Sequence, residues 1–284
     1  MSEGMREIKR RIKSVGSTRQ ITKAMNLVAS SKLNRSRDRY TQIMPFYEMT
    51  GKVISSMVGS LDTTGIKYLT ERDVSHITLI VLAGDRGLCG GYNIAVCQTA
   101  LEVAADIECD FITVGSKAFD YLNNRGKNIS HSLKGISEKP TYEDARKIGE
   151  IVVRNYTSGK TDAVYLAYTK YNSTISYEST CVKLFPFDIN EVADMGEEID
   201  KAATLYEPSA EAVFSYVLPK YINTVIYGAM TEASLCEQSA RMTAMDSATE
   251  NADDMLDSLN TRYNRARQGA ITQEITEIIA GSDL

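Results

Sequence analysis

The spacing of apolar side chains divides this sequence into three stretches. From about residue 3 to 58 they recur at helical spacing: Ile8, Ile12 and Val15 stand at i, i+4, i+7, and Ile21, Met25 and Val28 repeat the spacing on a shifted phase. The pattern predicts one long helix, kinked or broken near Met44 by Pro45. Residues 59–73, with Gly59, Thr63, Thr64 and Gly65, read as a loop. Between about 74 and 190 the period alternates. His76–Leu82 reads as a strand, Asn93–Ala105 as a helix, Phe111–Val114 as a strand, Lys117–Asn124 as a short helix and Ile129–Leu133 as a strand. Thr141 caps a helix running to about Tyr156, with Asp144 in its first turn, and Ala163–Thr169 and Thr180–Leu184 complete the strands. Such alternation predicts a mostly parallel sheet with helices on its faces.

From about 209 to 280 no glycine-rich or polar loop interrupts the helical pattern. Pro208 stands near its start, Pro219 is expected to bend the first turns, and Gly228 is tolerated. Met245, Ala248, Ala252, Met255, Leu259, Tyr263, Ala266 and Ala270 step by threes and fours, the near-heptad spacing of a long narrow seam. Such a helix is roughly 100 Å long at 1.5 Å per residue. The economical arrangement pairs the two ends of the chain as an antiparallel coiled coil, with the α/β domain inserted between them. A homodimer through the same seam is the alternative. The first helix is too short to cover all of the last one, and ITQEITEIIAGSDL leaves Ile271, Ile275, Ile278, Ile279 and Leu284 without a packing partner. An exposed apolar tip predicts a partner with a hydrophobic socket.

Composition narrows the class. Hydrophobic residues at 43% and charged ones at 24% fit a globular chain, and no apolar run is long enough to cross a membrane. The N-terminus lacks the apolar core of a signal peptide. Cys89, Cys97, Cys109, Cys181 and Cys236 are scattered and form no CxxC pair, so neither a disulfide framework nor a metal site is expected and a reducing compartment fits. His76 and His131 are too few for a histidine-built metal centre. Charge is uneven: residues 1–40 carry eleven Lys/Arg against three Asp/Glu, whereas the remainder is net acidic. A basic segment on an acidic chain points to an anionic partner, whether nucleic acid, lipid or an acidic protein surface, or else to a solvated helix face. With Tyr40 as its only aromatic residue and no recognition motif, the segment is a poor nucleic-acid binder.

The stretch VLAGDRGLCGGYN, Val81 to Asn93, has the look of a strand feeding a phosphate-cradling turn. A P-loop needs Gly-Lys-Ser/Thr to neutralise phosphate and hold magnesium, and the loop has none. No start among Gly84, Gly87, Gly90 and Gly91 places glycines at the offsets of the dinucleotide fingerprint. Asp85 is a poor neighbour for phosphate. The glycines are therefore read as allowing a tight strand-to-helix turn. Asp85 and Arg86 read either as an active-site pair or as a turn-stabilising ion pair.

The segments RRIKSVGSTRQITKAMNLVASSKL, GDRGLCGGYN and EQSARMTAMDSATENADDMLDSLNTRYNRARQGAITQEITEI, spread over essentially the whole chain, resemble the γ subunits of F-type ATP synthases, the central rotor shafts of the F1 sector, of bacterial type. The resemblance implies an α/β fold: a long antiparallel coiled coil of N- and C-terminal helices, 1–58 and 209–284, with an inserted Rossmann-like domain of mostly parallel sheet, 74–190, at its foot. It implies no catalytic, cofactor-binding or metal residue here, because ATP is made and split on a surrounding α3β3 ring whose hydrophobic sleeve holds the apolar tip. The implied partners are the α and β subunits, the ε subunit and the membrane c-ring, with no nucleic acid and no direct membrane span. Met25 in KAMNLV matches the place where the first helix meets an acidic β loop. Arg241 in SARM, with Arg267, Gln268, Thr272 and Glu274 in RARQGAITQE, matches positions that couple shaft to ring. For Arg241 an i, i+4 pair with Glu237 is the alternative. Tyr206 and Glu207 in YEP match residues facing the c-ring. Gly269 stands where alanine is usual and Cys236 where serine is common; no cysteine-bearing regulatory insert is present, so thiol switching is not expected. The absence of a transit peptide favours a bacterial chain on the cytoplasmic side of the plasma membrane. A nucleotide-dependent enzyme and a nucleic-acid-binding scaffold are the rival readings. The first predicts stoichiometric nucleotide binding by the isolated chain, the second a steep salt dependence.

Overall fold

The structure, a computed structural model, describes residues 4–58, 61, 66–69, 71–174, 176–188 and 206–282. Its elements are α1 (Met5–Val58), β1 (His76–Leu82), α2 (Tyr92–Val103), β2 (Glu108–Val114), α3 (Ser116–Asn123), β3 (Ile129–Leu133), α4 (Tyr142–Thr157), β4 (Ala163–Ser173), β5 (Ser176–Phe185) and α5 (Ala210–Ser282). The chain divides into two compact units: a helical unit, Met1–Ser30 with Arg241–Leu284, and an α/β unit, Ser31–Ala240. Both long helices contribute to both units.

In the α/β unit the strand order is β3-β2-β1-β4-β5, parallel except for the antiparallel β4–β5 pair. The central strand β1, HITLIVL, is buried almost throughout, as a parallel strand covered on both faces must be. The pleat sorts its side chains. Ile77, Leu79 and Val81 meet Val96, Cys97 and Ala100 of α2 and Ala118 and Leu122 of α3. Ile80 and Leu82 face the other way, into a core with Ile148 and Val152 of α4, Ile54 and Met57 of α1, and Phe214, Leu218 and Ile226 of α5. Thr141 caps α4 through a capping box with Asp144, as its position ahead of that helix predicts.

Three sequence expectations need correction here. Pro45 does not end α1; the following turns are held by packing, with Tyr47 stacked on Tyr221 and Ile54 and Met57 fully buried. β2 begins at Glu108 rather than Phe111, because Glu108, Cys109 and Asp110 are drawn into register with His76, Ile77 and Thr78 despite their polar character. β4 and β5 extend to meet at Ser173 and Ser176, where the polar KYNS stretch reads locally as loop but completes a hairpin ladder.

In the helical unit α1 and α5 run antiparallel. Thr22 and Thr249 share a hydrogen bond at 2.8 Å, Asn26 Nδ2 donates to the Met242 carbonyl at 3.0 Å, and Arg19 pairs with Asp253. Ile8 and Ala29 are buried from α1, and Met245 and Ala252 from α5. Three seam assignments fail. Ile21 is 59% exposed and Val28 also lies outside, because the seam does not shift phase: it continues through Arg19, Thr22 and Ala29. Met255 is 56% exposed, and the half-buried Leu256 occupies the seam between Ala252 and Leu259. Polar and small residues carry the phase that apolar spacing alone misassigned.

Candidate functional site

Ligands of open parallel sheets bind outside the carboxyl ends of the strands, where the strand order reverses, here beside β1 and β4. Protein groups fill that crevice. Cys89, Tyr92, Cys236 and Ala240 form a buried cluster with Tyr171 and Tyr177. The Tyr92 hydroxyl donates to the Ala233 carbonyl of α5 at 2.8 Å. The buried Glu237 carboxylate lies so close to Gly84 that a Cβ there would stand 2.8 Å from its Cδ.

Asp85 turns inward among the loops at the strand ends. Its carboxylate accepts from Ser116 N (2.9 Å) and Ser116 Oγ (3.0 Å) at the start of α3, and from Gly135 N (2.8 Å) and Ser137 N (3.1 Å) after β3. Burial alone raises its pKa, but the Gly135, Ser137 and Ser116 N–H groups outweigh it and hold the carboxyl below its ordinary value. Asp85 N in turn donates to Ser137 Oγ at 2.9 Å. Asp85 is an internal anion that ties three loops. Gly115 lets the chain pass: with φ +90°, a Cβ there would stand 2.1 Å from the Ala83 carbonyl oxygen. The loop after β3 is also fastened to the helices, since Lys32 pairs with Glu138 at 2.8 Å and Ser234 Oγ and Arg39 both donate to the Glu138 carbonyl. The Lys32 contact lowers the Glu138 pKa. Among the described residues no cluster of His, Cys, Asp and Glu is set to hold a metal ion.

The opposite character belongs to the end of α5. From residue 271 to 279 every side chain is exposed, isoleucines included, and Ile278 reaches 71%. Running the α1–α5 register outward sets Met5 opposite about residue 267, so among the described residues α1 does not reach the last turns of α5. Ile271, Ile275, Ile278 and Ile279 stand at i, i+4, i+7 and i+8 and so share one face of the helix, an apolar stripe bordered by glutamine, threonine and glutamate.

A family model described as ATP synthase matches residues 4–283. The chain is 42% identical to the ATP synthase gamma chain of Alkaliphilus metalliredigens, covering 100% of this chain and 99% of that one. It is 40% identical to the gamma chain described as sodium ion specific from Acetobacterium woodii, at 100% and 99% coverage. The chain belongs to the ATP synthase gamma-chain family. The fold agrees: a chain of the Euglena gracilis mitochondrial ATP synthase structure superposes with a TM-score of 0.65 over 98% of this chain and 93% of that one, at 17% identity. A chain of the Tetrahymena thermophila central stalk and c-ring structure gives 0.63 at 23% identity, over 80% of this chain and 99% of that one.

The residues singled out by the resemblance to this gamma-chain family occupy different settings. Met25 is half-buried beside the seam. Arg241 is only 9% exposed, whereas Arg267, Gln268, Thr272 and Glu274 are exposed, with Thr272 Oγ1 turned back to the Gln268 carbonyl. Ile271, Ile275, Ile278 and Ile279 are exposed, and Leu284 lies outside the described residues. Tyr206 is partly buried with its hydroxyl 3.3 Å from Ser56 Oγ, and Glu207 is exposed. Sequence reasoning missed Leu27, which is exposed beside Val28, and the exposed stripe of Phe46, Met49 and Val53 on α1. The spacing of three and four in Phe46, Met49 and Val53 was the available signal.

Proposed function

We propose that this chain is the central rotor shaft of an F-type ATP synthase, turning inside the α3β3 ring and coupling ion flow through a membrane c-ring to ATP synthesis or hydrolysis on the ring. The observation that carries the proposal, within a chain of the gamma family, is the solitary exposed end of α5. Isoleucines that line one exposed face of a helix mark a surface that another protein's apolar sleeve would cover. The shaft supplies no chemistry of its own. Its crevice is filled by Asp85, Tyr92 and Glu237. A single asymmetric shaft in a three-fold ring presents a different face to each β subunit, so three identical sites adopt three states, and each third of a turn permutes them.

Met25, Arg241, Arg267, Gln268, Thr272 and Glu274 are assigned to the contact with the ring, where arginine suits a bidentate grip on a carboxylate. Tyr206 and Glu207 are assigned to the c-ring side, with the ε subunit bound nearby. The basic start of α1 then finds its anionic partner in an acidic loop of β. Residues 1–58 and 209–284 form the shaft and 74–190 the globular foot in this reading. No described helix is long and apolar enough to cross a membrane. The chain is accordingly assigned to the cytoplasmic side of a bacterial plasma membrane, held there through the c-ring. Similar identity to a gamma chain described as sodium ion specific and to one without that description fits a shaft that does not itself select the ion.

The test is co-assembly of the purified chain with α and β subunits. One copy per α3β3, in a complex that hydrolyses ATP, is the expected result. A chain that stays alone and binds nucleotide stoichiometrically would instead favour the enzyme reading.

A further inference from the structure

A cavity of about 290 Å3 lies within the α/β unit, between α1, α5 and strands β4 and β5. It is several times the roughly 30 Å3 that a water molecule occupies in the liquid, whereas close-packed protein cores keep few voids larger than a single water. Tyr47 and Tyr221, stacked with centroids 6.1 Å apart, form part of its wall, and Tyr40 and Tyr168 line it as well. Burial first, and the charge of Glu232 second, push the Tyr40 hydroxyl up to about 12 and the Tyr168 hydroxyl higher still, so both rings keep their O–H groups.

Two features set this space apart from a packing defect. Glu232 of α5, a residue only 9% exposed, lines the cavity, and its carboxylate accepts the Tyr171 N–H at 2.8 Å. Burial raises its pKa, and the Tyr171 N–H and the Lys170 charge pull it partly back. One turn earlier on α5, Gly228 also lines the cavity, and a Cβ added there would meet nothing within 4 Å. Glycine is unfavourable inside a helix. No neighbour in the chain requires it at this point, and its effect is to leave the space open.

We propose that this cavity binds an organic monocation with an aromatic body: its ammonium group pairs with the Glu232 carboxylate and its body lies against the tyrosine faces, where cation–π attraction adds to the ion pair. Lys170 and Lys183 also line the site, so a second positive charge is disfavoured and a polyamine is a poor fit. The proposal is independent of rotation and is tested on the full-length chain alone.

The probe is tryptamine, titrated by calorimetry, with indole-3-acetate as the same ring carrying the opposite charge. Saturable binding of one tryptamine per chain is expected, with no competition from indole-3-acetate. Glu232→Gln should weaken binding roughly tenfold or more. Gly228→Leu, which grows into open space, should abolish binding without lowering the melting temperature. Absence of saturable binding to the unaltered chain overturns the proposal, as does binding that survives Gly228→Leu. Equal binding of indole-3-acetate overturns the assignment of charge and points to the lysines. If Glu232→Gln fails to fold, Gly228→Leu decides alone.

Discussion

At the scale of single residues, Asp85 and Gly115 show how the strand-end loops are held without a ligand. Asp85 gathers hydrogen bonds from positions 31 to 52 residues further along the chain. Hydrogen bonds to a charged group contribute about 1.5–3 kcal/mol each. Asp85→Asn should therefore cost about 2 kcal/mol at pH 7, read from urea unfolding. Because the folded carboxyl lies below its ordinary value of 3.8, its contribution is complete above that value and is lost as pH falls through the lower folded one. The gap between Asp85→Asn and the unaltered chain should narrow below that pH; a constant gap would show that the charge is not the cause. Gly115→Ala combines a left-handed φ with a clash against backbone, and should cost about 3 kcal/mol or more in the same measurement. None of this was readable locally. The Thr141–Asp144 capping box was, because its partners are three residues apart, whereas Asp85 serves residues that only the fold brings near.

At the scale of elements, the strand and helix periods were readable and their phases less so. The β1 strand and the two long helices follow from apolar spacing, and the parallel sheet follows from their alternation. The seam of the helical unit did not follow in full. Thr22, Asn26 and Arg19 occupy it on α1 and Thr249 on α5, and a search for apolar residues passes over them to Ile21, Val28 and Met255. The structural seam makes a differential prediction for thermal melts followed by helical circular dichroism. Met255→Ala should change stability by no more than about 0.5 kcal/mol, as an exposed substitution. Ala252→Leu should cost about 1–3 kcal/mol by overpacking a buried position. The reverse order would restore Met255 to the seam.

At the scale of the whole molecule, the decisive feature is what the chain leaves uncovered. The coupling residues of the resemblance could not be read from periodicity, because Arg267, Gln268, Thr272 and Glu274 are exposed polar residues; only likeness to a family singles them out. The isoleucines beside them were readable, since apolar residues beyond the reach of α1 need a partner. Removing the chain from Ile275 onward should leave the melting temperature unchanged, because residues 275–279 are all exposed. It should weaken assembly with α and β subunits at least tenfold, since burying each isoleucine is worth about 1.5–3 kcal/mol and every 1.4 kcal/mol is about tenfold. Assembly and coupling as good as those of the intact chain would remove the case for a sleeve. The most direct measurement is of rotation itself. A Tyr216→Cys chain, altered at an exposed position of the α/β unit, is assembled with immobilised α and β subunits and a bead is attached to the new thiol. On addition of ATP the bead should turn in one direction, pausing at each third of a revolution. A complex that hydrolyses ATP at full rate while the bead stands still would contradict the shaft.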